Sequence, residues 1–85
     1  MDMRRLVGDN VRRIRQSKAW TQEQLADASG YSQQYLSSLE SGRRNPTVIT
    51  VYELANALGV SHIDLLTQPK FSKAARSLKK RKQSR

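Results

Sequence analysis

The sequence predicts an all-α domain of five short helices followed by a basic tail, and three observations carry that prediction. Apolar residues recur at helical spacing along most of the chain. Each apolar run is opened by a side chain able to cap a helix or closed by a glycine or proline. No segment alternates convincingly enough to be a strand, although Val48 to Tyr52 is β-prone by propensity alone.

The first helix is expected from about Arg4 to Ser17, with Leu6, Val7, Val11 and Ile14 turned inward. Trp20 follows it and is expected to plug the core. Thr21 with Gln24 forms a capping box, so a second helix should cover about Gln22 to Ser29. Leu25 and Ala26 give it an apolar side, and Gly30 stops it in a left-handed C-cap. Ser32 then caps a third helix to about Ser41, with Leu36 and Leu39 on one face and Tyr35 beside them. Two helices joined by so tight a turn must cross steeply, which makes a helix-turn-helix. Asn45-Pro46 breaks the chain, and Thr47 caps a fourth helix to about Leu58 with Val48, Val51, Leu54, Ala55 and Leu58 as its buried stripe. Ser61 and Asp64 announce a last capped turn carrying Ile63, Leu65 and Leu66. Pro69 divides a domain at 1–68 from a tail at 69–85.

The chain of 85 residues carries a net charge of +9, unevenly placed. Residues 1–69 hold eight basic side chains against all seven acids, whereas residues 70–85 hold the other eight and no acid. Such a tail favours polyanions, with a solubilising terminus as the plainer alternative. Within it Phe71, Ala74, Ala75 and Leu78 make a faint amphipathic stripe, too short to be a stable helix alone. Docking on the domain and ordering on DNA both fit that pattern. The chain has no cysteine and a single histidine, His62, so neither disulfide nor metal site is expected, and no cofactor or small-molecule ligand is evident. No nucleophile–base pair, paired carboxylates or phosphate-cradling glycine loop suggests an enzyme. The absence of a long apolar run or a signal segment leads to the expectation of a cytoplasmic protein without a membrane partner.

The motifs also carry a resemblance. Val7-Gly8, Val11, Ile14-Arg15 and Trp20-Thr21-Gln22, then the segment 21–42, then Ser41 to Thr47 and Leu54 to Ser61 are similar to the phage-repressor/Cro-type (XRE-like) helix-turn-helix regulators. The likeness spans roughly residues 6–67, and it lies in the order and spacing of motifs that are each weak alone. It implies a compact repressor-like DNA-binding domain and a sequence-specific regulator that binds operator DNA as a dimer. Two departures stand out. Ala19 replaces the usual glycine before the second helix, so that C-cap should be weaker or differently shaped, and Trp20 replaces the usual leucine.

On that resemblance the third helix enters the major groove, with Gln33, Gln34 and Ser38 reading bases. A glutamine amide sets a donor beside an acceptor and suits the N6/N7 edge of adenine. Gln22, Ser32, Ser37, Arg43, Arg44 and Asn45 are the expected phosphate contacts, and Gln22 is expected to brace Gln33. The two arginines have an alternative role at the C-terminal carbonyls of the third helix. Arg15 and Glu40 match positions that form a structural ion pair. Ile49, Tyr52, His62, Ile63 and Leu66 fall in the expected neighbourhood of a dimer interface. Tyr31 is expected to cap the core edge with its hydroxyl in water. Tyr35 either packs beside Leu39 or touches a phosphate, and Arg4, Arg5, Arg12 and Arg13 either extend the phosphate footprint or form a solvated face.

Double-stranded DNA and a second copy of the chain are therefore the expected partners. Phage-type repressor, restriction–modification controller and antitoxin all fit within that expectation. A helix-turn-helix adaptor acting through protein contacts, with non-specific nucleic-acid affinity, is the alternative from another class. The glutamines at 22, 33 and 34 argue against it, because an adaptor has no need of base-reading amides. RNA binding lacks an exposed aromatic platform, and membrane binding would rest on too thin an apolar stripe.

Overall fold

The computed structural model describes residues 2–69. The basic segment from residue 70 onward, including the Phe71–Leu78 stripe, lies outside the described residues. Among the described residues five helices follow one another: α1 (Met3–Ser17), α2 (Gln22–Ser29), α3 (Gln33–Glu40), α4 (Val48–Leu58) and α5 (His62–Leu66). No strand occurs among the described residues.

Local capping sets most of the boundaries. Asp2 starts α1 one residue earlier than its apolar pattern suggests, since Oδ1 accepts from the Arg4 and Arg5 amides at 3.0 and 3.4 Å. Thr21 and Gln24 form the expected capping box at α2, as Ser61 and Asp64 do at α5. The end of α1 keeps the Schellman hydrogen bonds, Trp20 N–H to Arg15 O at 3.1 Å and Ala19 N–H to Gln16 O at 2.9 Å. Ala19 sustains them at φ 60°, the left-handed region that glycines 42 and 59 occupy after α3 and α4. The departure at Ala19 is thus strain within an ordinary cap, not a different cap.

Val7, Val11 and Ile14 of α1 meet Leu25, Leu36, Leu39, Val51, Leu54, Ala55, Leu58 and Leu65 in one core, with Trp20 half-buried against it. Gly8 brings α1 directly against the last turn of α3, where a Cβ would collide with the Leu39 carbonyl oxygen. Buried Asn10 clips α1 to the end of α5, donating from Nδ2 to Leu65 O at 2.9 Å and Thr67 O at 3.1 Å. Its Oδ1 accepts from Arg13 at 3.1 Å, so each end of the amide has a partner.

Two expectations, for Val48 and Tyr31, are corrected. Val48 is 82% exposed rather than part of the α4 stripe. At about 100° per residue it lies roughly a quarter-turn from the centre of Val51, Leu54 and Leu58, and Thr50 is buried in that face instead. In α5 only Leu65 is buried, and Ile63 and Leu66 are exposed. The Tyr31 hydroxyl is not left to water: it donates to Glu53 Oε1 at 2.6 Å and lies 3.2 Å from Thr50 Oγ1.

Candidate nucleic-acid interface

The first turn of α3 presents one side to solvent. Its amphipathic pattern commits Leu36 and Leu39 inward, which leaves Gln33, Gln34 and Ser37 exposed and Ser38 half-buried one turn further on. Ser32 Oγ is occupied as the N-cap, accepting from the Tyr35 amide at 3.0 Å. After the helix, Gly42 turns the chain and Arg43, Arg44 and Asn45 stand exposed. Arg43 satisfies the end of α3 through its backbone, donating to Ser38 O at 3.0 Å. The Arg44 guanidinium lies over the Tyr35 ring, 5.1 Å from its centroid.

Beneath this face sits a buried ionic centre. Glu40, whose side chain is wholly inaccessible, accepts from Arg15 Nε at 2.7 Å and Arg15 Nη2 at 2.9 Å. Arg15 Nη1 also donates to Trp20 O at 2.7 Å, which ties the α1–α2 turn to the same guanidinium. Gln22 Nε2 donates to Glu40 Oε1 at 3.1 Å, and Arg12 Nε lies 3.7 Å from that oxygen. The expected brace from Gln22 to Gln33 is therefore replaced by one to Glu40. An ionised carboxylate is a stronger acceptor than an amide oxygen, so it accepts the Gln22 N–H. The second amide N–H of Gln22 stays available at the N-terminus of α2, where backbone N–H groups also favour an anion.

The turn between α2 and α3 contributes a second cluster. Tyr31 and Tyr35 stack with ring centroids 5.2 Å apart and planes inclined at 23°. Tyr35, half-buried, packs against the core as well. The Tyr31–Glu53 hydrogen bond fastens this stack to α4, and Thr50 is linked in turn to Thr47 at 3.1 Å. Accepting that bond, the Glu53 carboxylate holds the Tyr31 phenol above its usual pKa of 10.0. Neither Glu53 nor Thr50 carried a signal in the sequence, since the contacts join residues 22 and 19 positions away.

A different face is apolar. Ile49, Tyr52, His62 and Leu66 are exposed there, with Met3 and Val48, which the sequence missed, beside them. Met3, Val48, Ile49, Tyr52, His62 and Leu66 line a groove of about 330 Å³, and Ile63 is exposed on α5 outside it. The Tyr52 and His62 rings lie 6.5 Å apart across it. No group of three metal-ligating side chains occurs among the described residues, and none of their helices is long and apolar enough to cross a membrane.

A two-helix unit that offers the first turn of its second helix to solvent defines a DNA-binding helix-turn-helix protein. The chain belongs to the helix-turn-helix family, whose profile matches residues 11–65. It is 69% identical over 67 residues to an HTH-type transcriptional regulator of Sinorhizobium fredii, covering 79% of this chain and 87% of the relative. Over 68 residues it is 41% identical to control protein C.SmaI of Serratia marcescens, covering 80% and 81% of the two chains. The crystal structure of a hypothetical transcription factor from Neisseria superposes with a TM-score of 0.80 at 34% identity, covering 87% of this chain and 85% of that one. The protein is thus a DNA-binding transcriptional regulator of the Cro-like helix-turn-helix class.

Proposed function

We propose that this regulator is a repressor that binds operator DNA as a homodimer, with α3 of each protomer in the major groove. The observation that carries this reading is the exposed pair Gln33 and Gln34 at the start of α3. Both amides read base edges there, with Ser38 following one turn later. Gln22, Ser32, Ser37, Arg43, Arg44 and Asn45 hold phosphates and set the register, Ser32 through the backbone it caps. Occupying promoter DNA is by itself enough to block transcription.

The apolar face of α4 and α5 supports the dimer. One recognition helix reads too few base pairs to single out a genomic site, and a two-fold partner doubles the reading with half-sites about 34 Å apart. Ile49, Tyr52, His62, Ile63 and Leu66 form the self-complementary patch on this reading, with Met3 and Val48 at its margin. An adaptor function would use the same patch for a different protein.

Selection from a random duplex pool, run on wild type and Gln33→Ala/Gln34→Ala, tests the proposal. A palindromic motif that blurs at symmetric positions in the variant is the expected outcome. Binding with no enriched motif, lost uniformly as salt rises, would instead favour the adaptor.

A further inference from the structure

Arg44 stands apart from its neighbours on the loop after α3. Its guanidinium rests over Tyr35, Tyr35 is stacked on Tyr31, and the Tyr31 hydroxyl is bonded to Glu53 and Thr50 of α4. Four side chains from three parts of the fold thus end in one exposed cation beside the recognition helix. We infer that Tyr35 is a positioning residue for DNA binding, holding Arg44 ready for a backbone phosphate.

The physical grounds lie in what a guanidinium needs. A free arginine side chain loses considerable rotamer freedom when it engages a phosphate. The Tyr35 ring restricts that freedom before DNA arrives, and a cation–π contact leaves most of the five N–H donors for the phosphate oxygens. The ring is itself fixed, since Tyr35 packs on the core on one side and on Tyr31 on another. Lysine at 44 would carry the charge but not the planar face. This role rests on the proposed DNA-binding reading of α3, and it assigns to Tyr35 neither base nor phosphate contact.

The test is a double-mutant cycle in DNA affinity, measured by fluorescence anisotropy on a duplex bearing the selected motif and on a shuffled duplex. Tyr35→Leu should weaken binding to both duplexes by about two- to fivefold per protomer, the range of an exposed cation–π contact. The same change in an Arg44→Ala background should cost nothing further, and Tyr35→Phe should bind as wild type. Arg44→Ala should also lower the salt slope by about 0.9 per protomer. Equal losses from Tyr35→Leu in the two backgrounds would overturn the inference. So would Tyr35→Phe failing as badly as Tyr35→Leu, which would mark the hydroxyl as the contact. An unchanged slope in Arg44→Ala would remove the phosphate and the inference with it. Should Tyr35→Leu unfold, Arg44→Lys at an exposed position replaces it: a loss of the same size is expected, and wild-type affinity would overturn the role. Wild type that binds neither duplex defeats the DNA-binding reading itself, a pattern distinct from all of these.

Discussion

Arg15 grips both carboxylate oxygens of Glu40, at 2.7 and 2.9 Å, and so joins α1 to the last residue of the recognition helix. The pair is buried on both sides, with Arg15 9% and Glu40 1% exposed. Its attraction is largely offset by the cost of removing two charges from water. What the pair enforces is that neither partner be lost alone.

Arg15→Ala should therefore cost about 3–5 kcal/mol, because the buried Glu40 carboxylate keeps only the Gln22 amide and the more distant, exposed Arg12 as partners. Arg15→Ala/Glu40→Ala should lose clearly less than the sum of the single variants. Urea unfolding of the four proteins measures this, and strictly additive losses would show that the two side chains are not coupled.

Ala19→Gly should stabilise the fold. An alanine at φ 60° bears a Cβ clash that glycine does not, while glycine loses more backbone freedom on folding. The balance is a gain of about 0.5–1 kcal/mol. Calorimetry should register it as a rise of roughly 2–8 °C in Tm for a domain of this size. A lower Tm would mean that something other than the left-handed backbone governs residue 19.

Tyr31 makes stability depend on alkaline pH. Its folded pKa is raised above 10.0 chiefly by the hydrogen bond to Glu53. The contribution is fully present below pH 10 and is lost as pH rises through the higher folded value. Tyr31→Phe should thus be less stable than wild type by about 1 kcal/mol near neutrality. The gap should close above pH 10, since the wild-type phenolate then faces the Glu53 carboxylate. Following the difference between the two proteins cancels the pH dependence that the rest of the chain contributes to both. A gap that holds constant into strong alkali would refute the link.

Ile49→Asp should separate dimer from fold. Ile49 is 64% exposed, so the change should leave the unfolding free energy of the protomer within about 0.5 kcal/mol of wild type. Across a two-fold axis it would bury two carboxylates, and sedimentation should show a monomer. A variant that still sediments as a dimer places the interface elsewhere.

The helix ends were legible in the sequence because capping is a conversation between residues three apart. Thr21 with Gln24 and Ser61 with Asp64 illustrate this, as both form their boxes where the spacing says. Contacts across the fold were not legible in that way. Asn10 reaches Leu65 and Thr67 over more than fifty positions, and Tyr31 reaches Glu53 over 22. The Arg15–Glu40 pairing came from family likeness, since nothing in a separation of 25 residues implies it. Gln22 shows the limit of likeness, because its nearest carboxylate outcompetes the amide it was expected to brace. Val48 shows the limit of an apolar count, in which the angle around the helix decides what is covered.

The absent side chain at Gly8 has a consequence for how such a protein can change. It lets α1 seat on the Leu39 carbonyl, so the far end of α3 is clamped by backbone packing and by Glu40. The near end, from Gln33 to Ser37, buries Leu36 and packs Tyr35 against the core edge, leaving Gln33, Gln34 and Ser37 exposed. New residues at 33, 34 and 37 can thus be tried without disturbing the clamp. Under the proposed function, a lineage could retarget its operator by exchanging a few exposed side chains on an unaltered scaffold.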